Sequence, residues 1–390
     1  MHVLVDGNFP GGNIFVETLK LESGNENDTI SVLQEPRDSL DNWFYWCFRA
    51  REASKGKITF QFRGNIVGVR GPAVSLDKGE TWKWLGAESS TQNSFTYCFD
   101  GSGDEVRFCF TIPYLESNLK SFLQRHERGS QMELASLCTT GKMRNTELIR
   151  LGCIGSEPKF RTILTCRHHC CESIASYSLE GIMEAVLSES ESGKWLRENV
   201  EFMGVPFIDK DGVEDGDQGK SRYPHDHNRD YSGDSIYPSV KKLRDIVPSW
   251  SQGKLKLALD LHCPHIRGSL SERLYMVGAD NPKIWDEQCR FGRILENCQT
   301  GKLGYRAIDN LPFGADWNIS KNYSNGKCFS TWAGEIPGVK LSTSFEIPYA
   351  NCLGQEINVS SAKEFGSDLA KAIYVYLSHF SNIAPPQRTS

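Results

Sequence analysis

The sequence predicts an all-β sandwich over residues 1–114, joined to an α/β domain over residues 115–381 in which helices flank a mixed, mostly parallel twisted sheet. Three observations carry this. Up to Pro113 the apolar residues fall in short runs, often alternating, separated by turn residues such as Asp100-Gly101-Ser102-Gly103, as half-buried strands require. From Leu115 onward, strand-length and helix-length runs take turns, the order expected of a sheet with helical crossovers. At 390 residues the chain is long for one hydrophobic core and comfortable for two.

The sandwich strands are read at Asn13 to Leu19, Trp43 to Ala50, Lys57 to Arg63, Ser94 to Phe99 and Glu105 to Pro113. The aromatics here, Trp43, Phe44, Tyr45, Trp46 and Phe48 among them, are read as packing residues. Helical spacing from Leu115 to Glu127 predicts a helix between the two halves. Strands follow at Leu134 to Cys138, Glu147 to Cys153 and Arg161 to Cys166, then a helix from Ser173 to Glu189. Next come a strand at Val200 to Ile208, a helix at Ser239 to Val247 and a strand at Lys254 to His262. Helix Pro282 to Thr300, strand Val339 to Ile347 and helix Ala362 to Phe380 complete the series. Residues 382–390, with Pro385-Pro386, are read as a flexible tail.

Composition excludes several classes. With 24% charged and 39% hydrophobic residues the chain is an ordinary globular one. A net charge of −5 and the lack of a basic block argue against nucleic acid as partner. No apolar run is long enough to span a bilayer, and the N-terminal residues do not have the pattern of a signal peptide. The thirteen cysteines follow no regular spacing and several interrupt strand-like runs, which favours reduced thiols and a cytoplasmic setting. Composition says nothing of the oligomeric state.

The chemistry gathers at predicted strand ends. His169 and Glu172 stand three apart where a strand gives way to a helix, and His262 closes a later strand. Two histidines and one carboxylate form the ligand set of a catalytic zinc, because they leave a position open for water. His168 and Cys171 offer a competing frame at the same spacing. Ligands in such sheets collect at the carboxyl ends of strands, where Glu346 also lies.

Taken in order, these motifs resemble the zinc metallocarboxypeptidases of the carboxypeptidase A superfamily, and among them the cytosolic carboxypeptidase branch. Arg167-His168-His169-Cys170-Cys171-Glu172-Ser173 resembles that branch's first ligand motif, with two cysteines where Pro-Gly is usual. Asp211-Gly212-Val213, Asp226-His227-Asn228-Arg229, Asp260-Leu261-His262 and Ser344-Phe345-Glu346 match the later motifs. Asp41-Asn42-Trp43-Phe44-Tyr45, Gly71 to Ser75, Thr81 to Trp84 and Phe110 to Tyr114 resemble the sandwich that precedes the catalytic domain in this branch.

The resemblance implies one Zn²⁺ per chain on His169, Glu172 and His262, with Glu346 as general base and Asp226 orienting His169. It implies hydrolysis of the C-terminal peptide bond of a peptide or protein, whose carboxylate Asn228 and Arg229 would bind. The oxyanion cation is less clean: Gly219 occupies the expected position, and Lys220, then Arg222, are the candidates. Lys327 matches a cation suited to acidic C-terminal residues, and Tyr323 is a candidate to close over substrate. His265 is read as pocket wall. Two other readings remain: a zinc deacylase or amidohydrolase of N-acylated amino acids, and a non-catalytic peptide-binding protein on the same fold.

Overall fold

The computed structural model describes residues 2–20, 28–126 and 131–381. Among the described residues, nine strands build the N-terminal sandwich: β1 (Leu4–Asp6), β2 (Phe15–Lys20), β3 (Asp28–Leu33), β4 (Cys47–Arg51), β5 (Gly56–Phe62), β6 (Ala73–Ser75), β7 (Lys83–Trp84), β8 (Ser94–Phe99) and β9 (Val106–Cys109). One sheet runs β1-β4-β9-β6-β7 and the other β2-β3-β5-β8. All neighbours are antiparallel except β3 and β5, which run parallel. Their inner faces meet in a cluster of aromatic rings. Trp46 lies 4.7 Å from Phe62, and Phe95 lies 5.1 Å from both Phe60 and Phe108, centroid to centroid. These large apolar surfaces hold the two sheets together.

Helix α1 (Glu116–His126) links the halves; its predicted last residue, Glu127, lies outside the described residues, as does the predicted tail 382–390. The second half is built on β10 (Met132–Thr139), β11 (Asn145–Gly152), β12 (Phe160–Cys166), β13 (Val200–Val205), β14 (Leu255–His262), β15 (Tyr275–Val277) and β16 (Leu341–Glu346). Their order is β10-β11-β13-β12-β14-β16-β15. The four central strands are parallel and the others antiparallel, so the sheet is mixed as expected. Every residue of β12, β13 and β16 is buried, which accounts for their continuous apolar and small-polar sequences.

Helices α2 (Ser173–Leu187), α3 (Glu191–Asn199), α4 (Lys210–Asp215), α5 (Pro238–Ser251), α6 (Pro282–Cys298), α7 (Phe329–Gly334) and α8 (Val359–Ser381) complete the fold with a two-strand hairpin, β17 (Asn351–Cys352) and β18 (Gln355–Glu356). The short α3, α4 and α7 and the three-residue β15 were not expected from the sequence. Each has less than three full turns or a few residues of pattern, too little for periodicity to register. Among the described residues no helix is long and apolar enough to cross a membrane, and the thirteen cysteines are all unpaired. The two halves share one continuous hydrophobic cluster, reaching from Trp46 and Phe108 through Phe110 and Tyr349 to Phe365.

Candidate metal and substrate site

Four parallel strands end at the same edge of the sheet, and the candidate residues sit there. His262 is the last residue of β14 and Glu346 the last of β16, and the two are directly paired across the ladder. His169 and Glu172 occupy the tight turn between β12 and α2. Arg167 gives that turn its shape. It adopts a left-handed backbone (φ 61°), and its buried guanidinium donates to the Cys170 carbonyl, the Tyr114 carbonyl at 2.8 Å and the Ser176 hydroxyl at 3.2 Å. A fixed fork of donors meets three buried acceptors at once.

His169, Glu172 and His262 converge. Glu172 places Oε1 2.8 Å from His169 Nδ1 and Oε2 2.7 Å from His262 Nδ1. The opposite ring nitrogens face other carboxylates: His262 Nε2 lies 2.6 Å from Asp260, and His169 Nε2 lies 3.7 Å from Asp226. This back-to-back arrangement fixes which nitrogen each ring presents to a metal. Three ligand atoms of suitable kind within bonding reach of one ion fit the zinc set expected from the sequence. The competing frame is not formed. His168 turns away to Asp260 (2.7 Å) and Tyr231 (2.8 Å), and Cys171 is packed in the interior with its thiol pushed up to about 12 by burial and the Glu172 charge.

The electrostatics follow from this crowding. Burial raises the Glu172 carboxyl, but His169 and His262 outweigh it and hold it at about 2. Burial pushes Glu346 up to about 7; His262 pulls against this and Glu172 adds to it. Glu346 Oε2 is buried without a hydrogen-bond partner among the described residues, an orphaned acceptor that calls for a proton or a ligand.

These groups line a cavity of about 280 Å³ that also exposes Lys220, Asn228, Arg229 and Tyr323. Lys220 Nζ stands 3.1 Å from His169 Nε2. The Asn228 amide is already engaged, with Nδ2 3.1 Å from His262 Nε2 and Oδ1 accepting from the Phe329 amide at 2.9 Å. Arg229 lies over the Tyr323 ring at 5.0 Å and donates from Nε and Nη1 to the Asn322 and Asn228 carbonyls.

Two expected residues are elsewhere. Arg222 points out of the cavity into an acidic cluster: it pairs with the exposed Asp38 and with the buried Asp209 at 2.5 Å and Asp217 at 3.6 Å. Lys327 is also outside the cavity wall, held by Glu335 at 2.6 and 2.8 Å. Gly219, where an arginine was expected, has φ 76° and packs on the Cys170 backbone, and a Cβ there would fall 2.7 Å from Cys170 Sγ. A side chain there would clash, and the cation that this loop presents to the cavity is Lys220.

The sequence reading missed part of the wall. Trp43, taken as packing, lines the cavity from the sandwich side together with His265, whose ring meets it at 5.2 Å. Tyr275 and Val277 on β15 face it as well. As the first residue of the strand read at Trp43 to Ala50, Trp43 carried no sequence signal of this position.

This sheet, with candidate metal ligands at the carboxyl edge and a sandwich before it, defines a metallocarboxypeptidase-like fold. Solved structures agree: metallocarboxypeptidases from Burkholderia cenocepacia and Pseudomonas aeruginosa superpose with TM-scores of 0.78 and 0.74. They cover 97% and 96% of this chain and 100% and 99% of their own, each at 18% identity. No protein-family model matches the chain. Cytosolic carboxypeptidase 6 of Caenorhabditis elegans is 25% identical over 324 residues, 73% of this chain and 69% of that protein. Cytosolic carboxypeptidase 3 of Bos taurus is 24% identical over 308 residues, 76% of this chain but 29% of that longer protein. The chain thus has a metallocarboxypeptidase-like fold and is similar in sequence to the cytosolic carboxypeptidases.

Proposed function

We propose that this chain is a zinc-dependent carboxypeptidase that removes the C-terminal residue of peptides or proteins, in the reducing cytoplasmic setting that its unpaired cysteines suit. One observation carries the reading. Two histidines present Nδ1 to the two oxygens of Glu172 at the floor of a cavity that also holds Glu346, Lys220 and Arg229.

His169, Glu172 and His262 would hold one zinc, with Asp226 and Asp260 orienting the rings. When bound, zinc supplies Lewis acidity, polarising the scissile carbonyl and making a water acidic. Glu346 takes the proton of the attacking water and passes it to the leaving amine, a task suited to a carboxyl raised to about 7. Lys220 faces the oxyanion as charge develops on it. Arg229 receives the chain-terminal carboxylate, with Tyr323 against its guanidinium. Asn228 ties His262 to the start of α7 and so steadies both ends of the cavity.

Metal analysis should find one zinc per chain, and chelation should abolish cleavage of a peptide with a free C-terminus. The same peptide amidated at its C-terminus should resist cleavage. Equal cleavage of both, or preference for N-acylated amino acids, would refute the proposal.

A further inference from the structure

We infer that His168 and Tyr231 are positioning residues for the metal: with Asp260 they form a buried chain of hydrogen bonds that sets the ring of His262. This chain presupposes the zinc site proposed above and adds two side chains to it.

The backbone makes the arrangement possible. Arg167, at φ 61°, turns the chain between β12 and α2, and the two histidines that follow it meet different partners. His169 faces Glu172, whereas His168 runs to Asp260 at 2.7 Å and Tyr231 at 2.8 Å. His168 and Asp260 are 0% exposed and Tyr231 1%, so these groups satisfy one another. Polar groups buried to that extent persist where each donor has an acceptor.

That requirement places the protons. His262 offers Nδ1 to the metal, so its own proton sits on Nε2. Asn228 presents an amide donor to Nε2 at 3.1 Å, its Oδ1 being taken by the Phe329 amide. The Nε2 proton therefore goes to Asp260 Oδ2, at 2.6 Å. Asp260 Oδ1 accepts from the Thr165 hydroxyl at 2.8 Å and from His168 Nδ1. His168 is left with Nε2 as an acceptor, which the Tyr231 hydroxyl fills. One neutral tautomer of each ring satisfies the whole chain. Packing holds its far end: the Tyr231 ring lies 5.5 Å from Phe329 and 5.2 Å from Trp332. The His168 ring lies within 17° of parallel to that of His262.

Asp226 and Tyr231 belong to one short segment, which also carries Arg229. Asp226 faces His169 Nε2 at 3.7 Å, and Tyr231 steers His262 through His168 and Asp260. A single loop thus orients both imidazole ligands. His168, Asp260 and His262 are also close enough to hold an ion by themselves. Their facing atoms are already matched, proton to lone pair, and His168 and Asp260 lie outside the cavity wall.

The test is zinc affinity by chelator competition, with the visible spectrum of the cobalt-loaded protein as a second readout. His168→Phe keeps a ring in the same space and removes both hydrogen bonds. Zinc should then bind about 10–100-fold more weakly, and the cobalt bands should shift. His168→Asn keeps a donor near the position of Nδ1 and should recover most of that affinity and the parent spectrum. Tyr231→Phe leaves the packing in place and should weaken zinc about 2–10-fold, the worth of one hydrogen bond. Added to His168→Phe it should change nothing further. If His168→Phe fails to fold, Tyr231→Phe decides alone. Equal losses in His168→Phe and His168→Asn, or an unchanged affinity in Tyr231→Phe, would overturn the inference and leave the carboxypeptidase reading intact. A parent protein that binds no zinc would overturn the two together.

Discussion

Replacing Arg222 by methionine should remove stability, whereas replacing Lys220 by methionine should remove turnover. The two residues are neighbours in one loop, yet the structure gives them opposite surroundings. Arg222 is buried among Asp38, Asp209 and Asp217. Without it, Asp38 and Asp209 lose their guanidinium partner while Asp217 keeps Arg37 at 3.5 Å, and breaking a buried ion pair from one side costs about 3–5 kcal/mol. For a chain of this size each kcal/mol moves Tm by roughly 2 °C, so Tm should fall by about 6–10 °C. The loss should carry a pH signature. Burial raises Asp209, but Arg222 outweighs it and holds the carboxyl at about 2, below its ordinary value. A depressed carboxyl contributes stability above its unfolded value, near 4, and loses it as pH falls toward 2. The Tm deficit of Arg222→Met should therefore be largest above pH 5 and shrink in acid. Lys220→Met should melt within about a degree of the parent while kcat falls by roughly 10²–10³-fold, the scale for losing an oxyanion donor. Scanning calorimetry from pH 2.5 to 8 beside steady-state kinetics separates the two. An Arg222→Met protein with unchanged Tm and selectively reduced kcat would refute the assignment.

Other outcomes follow from the same geometry. Glu346→Gln should retain zinc by metal analysis while kcat drops by about 10²–10⁴-fold; substantial residual turnover would remove Glu346 as the base. Asp226→Ala frees the His169 ring and should weaken zinc about 10–100-fold in a chelator competition. Gly219→Ala forces a side chain against Cys170 in a left-handed backbone, which should cost about 1–3 kcal/mol and lower Tm. Burial, Asp38 and Asp209 push Asp217 up to about 6 against the pull of Arg222. A raised carboxyl stabilises below its unfolded value and loses that contribution as pH rises through 6. The Tm of Asp217→Asn relative to the parent should accordingly grow between pH 4 and 7, and a flat difference would contradict the assignment.

The mixed sheet was legible because β12, β14 and β16 are long, apolar and spaced by helices, and the local order of His169, Glu172 and His262 follows from strand ends alone. Roles set by distant partners were not legible. Arg222 and Lys220 look equivalent in a loop sequence; only the fold brings Asp38 and Asp209 to one and the cavity to the other. Lys327 matched by sequence position, but Glu335, the residue that follows α7, captures it. Val277 and Tyr275 escaped notice because a three-residue strand has no period to read. Gly219 stood out only as a departure, and its meaning needed the Cys170 contact.

The loop that carries Lys220 is held from the sandwich. Gln218 exchanges hydrogen bonds with the Tyr45 backbone at 2.7 and 2.9 Å, Ser39 donates to the Lys220 carbonyl at 2.8 Å, and Leu40 donates to the Ser221 carbonyl at 2.9 Å. The N-terminal half is thus a mould for the loop as well as a wall for the substrate. A chimera that kept this second half and replaced the first with an unrelated sandwich would preserve the ligand trio but lose the template that sets Lys220 beside it. Modularity in this molecule stops short of the line between its two folds.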